Sequence, residues 1–111
     1  MVRSYRRRYI AFKLTPAPHA SKRDLFVVLT GFVAAQRLVE DAEINHIRVI
    51  AYDSASGLCV ARWDHRHIGI LRSILVGSAN AFGVSHVETL RVSGTLKALE
   101  KSLATSIRGS A

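Results

Sequence analysis

Apolar and polar residues alternate along several stretches of the chain, and elsewhere they recur at three- and four-residue spacing. The first alternation sets Ile10, Phe12 and Leu14 against Tyr9, Ala11 and Lys13, which predicts a half-buried strand over Tyr9–Leu14. His46–Asp53 and Leu58–Trp63 read as a second and third strand, and the short Ser54-Ala55-Ser56-Gly57 link between them reads as a hairpin. A fourth strand is expected from His86 to Val92. Thr15-Pro16-Ala17-Pro18-His19-Ala20 is a connector, since two prolines so close block both helix and ladder.

The helical spacings fall between these runs. Ser21-Lys22-Arg23-Asp24 matches a capping box, and from Leu25 a helix places Val28, Leu29, Phe32, Ala35 and Val39 on one side, with Phe26 and Val33 beyond the edge of that arc. Gly31 in its middle costs about 1 kcal/mol relative to alanine, so close packing or a break into two helices is expected there. Asp64 is placed to cap a helix holding Ile68, Leu71, Ile74 and Leu75, which Gly77 and Ser78 close; Ala79 to Ser85 reads as a turn region. At the end of the chain, Thr89–Val92 runs into a Ser93-Gly94 turn and then a helix capped by Thr95. In that helix Leu96, Leu99, Leu103 and Ile107 share one face, while Lys97, Lys101 and Arg108 lie together on its flank.

The order strand, helix, strand, strand, helix, strand, helix repeats the split βαβ pattern. The expected fold is α+β and ferredoxin-like, with RRM-like topology: a four-stranded antiparallel sheet, helices packed on one face, and a C-terminal helix, all in one domain over residues 1–111. The RRM signature is missing from Leu58–Trp63, which lacks the aromatic-rich third strand that stacks bases.

Charge narrows the partner class. The 111 residues are 49% hydrophobic and carry 16 Lys and Arg against 8 Asp and Glu, a net charge of +8. A surplus of that size on a chain apolar enough to build a core makes nucleic acid the leading partner, ahead of an acidic membrane or protein. Without the stacking strand, RNA is expected to be met through phosphates and shape. The candidate RNA-binding residues are Arg6, Arg7, Arg8, Tyr9, Lys13, Arg62, Arg66, Arg91, Lys97 and Lys101, with Tyr9 interleaved among cations as a ring that can stack on a base. Glu40, Asp41 and Glu43 form an acidic patch, expected to be ordinary loop charge or a side turned away from RNA. Cys59 is the single cysteine, so no internal disulfide or cysteine-based zinc site is available, which points to a reducing compartment. The basic N-terminal stretch is broken by Lys13 and Pro16 before it reaches signal-peptide length, and no stretch approaches the roughly 20 apolar residues of a membrane span. A cytoplasmic location without membrane attachment is expected.

Two other functional classes are open. Asp53, Asp64, His65, His67 and His86 lie near strand ends, where such groups could hold a divalent metal for phosphodiester cleavage by the protein alone. Against this, Asp53 suits a hairpin, Asp64 suits a helix cap, and magnesium prefers clustered oxygen ligands, so no catalytic or metal residue is assigned. A ferredoxin-like sensor or protein-interaction adaptor explains the acidic patch and leaves the charge unexplained.

Three segments carry a family resemblance. Arg8-Tyr9-Ile10-Ala11-Phe12-Lys13, Arg48-Val49-Ile50-Ala51-Tyr52-Asp53 followed by Ser56-Gly57 and Arg62, and Thr89-Leu90-Arg91-Val92-Ser93-Gly94-Thr95-Leu96-Lys97-Ala98 resemble ribonuclease P protein component 2 in order and position. The last segment is the most specific. The resemblance implies a ferredoxin-like fold in an archaeal-type subunit of an endoribonuclease, a ribonucleoprotein hydrolase that removes the 5′ leader from precursor tRNA through its catalytic RNA. It further implies ribonuclease P RNA, precursor tRNA and ribonuclease P protein component 3 as partners, other subunits of that complex beside them, and pairing of this subunit with itself. Magnesium is then expected in the RNA holoenzyme, with no cofactor bound by the protein itself.

Overall fold

Strand β1 (Arg7–Thr15) runs through the middle of the sheet; Ile10, Phe12 and Leu14 face one core as their alternation predicts, but Ala11 between them is buried too, so the strand is covered on both faces and not half buried as expected. The structure is a computed structural model that describes residues 6–95 and 97–99. On one side β1 pairs antiparallel with β3 (Leu58–Asp64), and β3 pairs in turn with β2 (Arg48–Asp53). On the other side it pairs with β4 (His86–Ser93), giving the strand order β2-β3-β1-β4. Helices α1 (Lys22–Gln36) and α2 (Asp41–Ile44) connect β1 to β2, while α3 (Ile68–Leu75) and α4 (Ala79–Phe82) connect β3 to β4. Each connection steps over one strand of the other unit. That is the ferredoxin-like arrangement, an antiparallel sheet with helices packed on it. Among the described residues no helix is long and apolar enough to cross a membrane.

The pleat divides the sheet residues cleanly. Ile10, Phe12 and Leu14 of β1 join Cys59, Ala61 and Trp63 of β3 in one core with Leu25, Leu29 and Val33 of α1 and Ile68, Leu71 and Leu75 of α3. Burial pushes the Cys59 thiol up to about 12, so it stays protonated and acts as a small packing group. Ala11, Val60 and Leu99 form a second buried cluster, flanked by Tyr9, Ile50 and Leu58. The turn after β4 makes this possible. Thr95 accepts from Ala98 N–H through Oγ1 at 3.1 Å and from Leu99 N–H through its carbonyl at 3.2 Å, so it is an N-cap, and Leu99 is brought down onto Ala11 and Val60.

Several expectations change. The strands extend to Arg7, Thr15, Asp64 and Ser93, so Arg7 and Arg8 belong to the sheet, whereas β2 begins at Arg48 and leaves His46 outside it. The capping box is present, with Asp24 N–H donating to Ser21 Oγ at 3.1 Å and Ser21 N–H to Asp24 Oδ2 at 3.2 Å. Helix α1 is unbroken through Gly31, where an added Cβ would meet open space, and its buried line is Leu25, Leu29 and Val33, with Ala35 exposed. The sheet selects the bulkier branched residues four apart; Val28 and Val39 pack at their flank. Asp64 closes β3 and does not cap α3, which starts from His67 without a side-chain cap. The turn after α3 contains α4, which carries Phe82 into the core. Leu96, Lys101, Leu103, Ile107 and Arg108 of the expected terminal helix lie outside the described residues.

The hairpin between β2 and β3 is locked onto β1. Gly57 sits at φ +82°, donates its N–H to the Asp53 carbonyl at 2.8 Å and accepts from Leu14 N–H at 2.9 Å. A Cβ there would meet the Leu14 carbonyl carbon at 3.2 Å and overlap its oxygen. Gly57→Ala is therefore expected to cost more than the ~1–2 kcal/mol that the left-handed conformation alone imposes. A urea midpoint as high as that of the native chain would contradict this contact.

Candidate nucleic-acid interface

The end of β3 concentrates charge because its last residue is a carboxylate with no exposed surface. Asp64 accepts from Arg66 N–H at 3.1 Å and from Arg66 Nε–H at 2.8 Å, and His65 Nδ1 lies 3.0 Å from its other oxygen. Burial works to raise the carboxyl, but the Arg66 hydrogen bonds, with the charges of Arg66 and His65 beside them, outweigh it and hold Asp64 below its ordinary value. Glu43 of α2 turns into the same network, 3.0 Å from His67 Nε2, 3.7 Å from Arg66 Nη2 and 4.0 Å from His46 Nδ1. Glu43 also anchors Trp63 by accepting from its indole N–H at 2.8 Å through the backbone carbonyl. The acidic patch is thus divided: Asp41 and Glu40 stay exposed, while Glu43 joins the network.

Beside this network lies a cleft of about 410 Å³ lined by Arg7, His46, Arg48, Arg62 and Trp63. Arg48 and Arg62 are directly opposed across β2 and β3, and Tyr9 is opposed to Arg62 from the other side. Like charges in directly opposed positions destabilise a strand pair. The arginines are held there all the same. Arg48 Nη1–H donates to the Asn45 and Ile47 carbonyls at 2.5 and 2.7 Å, and its guanidinium lies 6.0 Å from the Phe26 ring centre. Among the described residues none of the ion pairs involves Arg7, Arg48 or Arg62, since the nearby carboxylates are engaged by Arg66 and the histidines. The result is a concave, cation-lined surface suited to phosphate oxygens.

The residues expected from sequence to bind RNA do not all meet here. Arg7 and Arg62 do, with Tyr9 next in the row and half buried against the second cluster. Arg6 is exposed beside the strand end, its carbonyl accepting from His65 N–H at 2.8 Å. Arg8 instead packs over Gly94, where an added Cβ would meet its guanidinium carbon at 3.4 Å. Lys13 lies about 13 Å along β1 from Tyr9, at ~3.3 Å per residue, and is exposed opposite Glu88. Arg91 and Lys97 are exposed, Arg91 opposite Ala11 and Lys97 just before Leu99. Arg66 is held by Asp64 and Glu43, and Lys101 lies outside the described residues.

Of the acids and imidazoles considered for a metal, Asp64 and His67 come together with Glu43, their ligand atoms all within 4.8 Å. The Arg66 guanidinium pairs with both carboxylates of this set, 3.7 Å from Glu43 Oε1 and hydrogen-bonded to Asp64 Oδ2. Asp53 serves the hairpin, accepting from Ser56 Oγ–H at 2.8 Å and Ala55 N–H at 3.1 Å, and His86 begins β4 on the surface. Sequence reasoning left His46 and Arg48 out of the interface. The signal for Arg48 is its place at the start of a strand paired with the one carrying Arg62. Comparison of the chain with protein-family models and with curated proteins gives no match.

The depressed Asp64 carboxyl contributes stability above the ordinary aspartate value of about 3.9 that is lost as pH falls through the lower folded value. Asp64→Asn should accordingly cost about 1–3 kcal/mol at pH 7. In urea unfolding across pH 2–7, that gap should shrink below about pH 4; a gap constant with pH would contradict it.

Proposed function

We propose that the chain is an RNA-binding protein subunit of ribonuclease P, assisting a catalytic RNA in removing the 5′ leader from precursor tRNA. The observation that carries this reading is the gathering of Arg7, Arg48 and Arg62 around one cleft with no carboxylate partner among the described residues, on a chain of net charge +8. The resemblance in β1, β2 and the turn after β4 supports it from an independent direction.

The mechanism is electrostatic. Arginines at the cleft, with Arg6, Lys13, Arg91 and Lys97 on exposed positions elsewhere on the molecule, neutralise phosphates of folded RNA and let crowded backbones approach. Less magnesium is then needed to hold the RNA in its active shape. The Asp64–Arg66–Glu43 network contributes by occupying the acids that would otherwise pair with the cleft arginines. Protein-borne metal catalysis is disfavoured by Arg66, which sits among the only acids close enough to share an ion among the described residues.

If about six phosphates are contacted, the slope of log affinity for ribonuclease P RNA against log salt should be near −4 to −5. Replacing Arg7 and Arg62 together by alanine should flatten it by about 1.5. An affinity independent of salt would overturn the reading.

A further inference from the structure

The cleft concentrates more positive charge than one internal RNA phosphate carries. Arg7, Arg48 and Arg62 line, with His46, one cleft of about 410 Å³, within the range of sites that take a single small group. An internal phosphodiester brings a single negative charge. A phosphomonoester carries about −1.5 to −2 near pH 7 and three acceptor oxygens, which match guanidinium forks in number and planarity.

Three further features fit a dianion. Arg48 and Arg62 are register partners on β2 and β3 and both line the cleft, so a doubly charged group bound there offsets the repulsion between two like charges. Arg48 is fixed in advance by the carbonyls of Asn45 and Ile47, so little side-chain order is lost when an anion arrives. Trp63, buried and tied to the Glu43 carbonyl, makes a rigid wall. The remaining cations, Lys13 and Arg91 among them, are spread over the sheet, as contacts to successive backbone phosphates require.

From this we infer that the cleft is a seat for a terminal phosphomonoester of an RNA strand, distinct in chemistry from the backbone contacts around it. The inference rests on the RNA-binding reading above. The test is fluorescence anisotropy with single-stranded oligoribonucleotides of one sequence and about ten residues, bearing a 5′-phosphate, a 3′-phosphate or hydroxyls at both ends. One phosphorylated form should bind about tenfold tighter than the hydroxyl form, and which one does so identifies the terminus. Arg62→Ala should erase that preference. Should that variant fail to fold by circular dichroism, Arg7→Ala, at the exposed strand end, should reduce it instead. Lys13→Ala, remote from the cleft, should weaken all three forms alike and keep the preference. Equal, salt-dependent binding of all three by the native chain would overturn the seat while leaving RNA binding intact. A preference that survives both arginine variants would overturn its location, and no binding of any form would overturn both readings.

Discussion

Burying the Asp64 carboxylate at the end of β3 obliges the chain to surround it with donors, and the surrounding donors decide the electrostatics of that whole end of the molecule. Arg66 folds back over the strand it follows, His65 closes the other oxygen, and Glu43 reaches in from α2 to meet Arg66 and His67. An ion pair of this kind, with a buried carboxylate and an exposed guanidinium, adds little net stability by itself, because solvent screens the cation and desolvation of the carboxylate offsets much of the attraction. Its effect is on position and on charge. It ties α2 and the start of α3 to the sheet, and it commits two acids that would otherwise neutralise Arg7, Arg48 and Arg62.

The sheet makes the second contribution. β1 is buried on both faces, by the helices on one side and by Leu99 on the other, so its cations cannot lie along its middle. They are displaced to its ends and to its neighbours: Arg7 at one end, Lys13 at the other, Arg62 and Arg91 on the flanking strands. The Thr95 cap therefore matters beyond the terminal turn, since bringing Leu99 onto Ala11 and Val60 covers part of that sheet face. A base-stacking platform of the RRM kind would need aromatic residues where Ala11 and Val60 stand. The proposed phosphate contacts accordingly fall at the rim.

Much of the fold was legible because it depends on periods the sequence carries openly. Alternation in Tyr9–Leu14 and Leu58–Trp63, the Ser21–Asp24 box and the Thr95 cap all act over a few residues, and each is present. The candidate cleft was half legible. Arg7 and Arg62 stand out as cations at strand ends, but pairing Arg48 with Arg62 depends on a register irregularity between Val49 and Ala51. Counting outward from the hairpin without it sets Val49 opposite Arg62 and hides the arginine pair. The role of Glu43 was equally hidden, because only the tertiary approach of α2 to the end of β3 turns one residue of an acidic run inward. Gly31 misled for a related reason: its helical cost is visible locally, whereas the open space around it belongs to the packed structure.

The central claim is that this chain supplies charge and shape to a catalytic RNA and performs no cleavage itself. Leader removal from precursor tRNA by ribonuclease P RNA at limiting magnesium, measured with and without the chain and beside the chain alone with the metal, tests it most directly. The account predicts cleavage that requires the RNA and rises steeply when the chain is added. Cleavage by the chain without the RNA, or no stimulation when it is present, would contradict it.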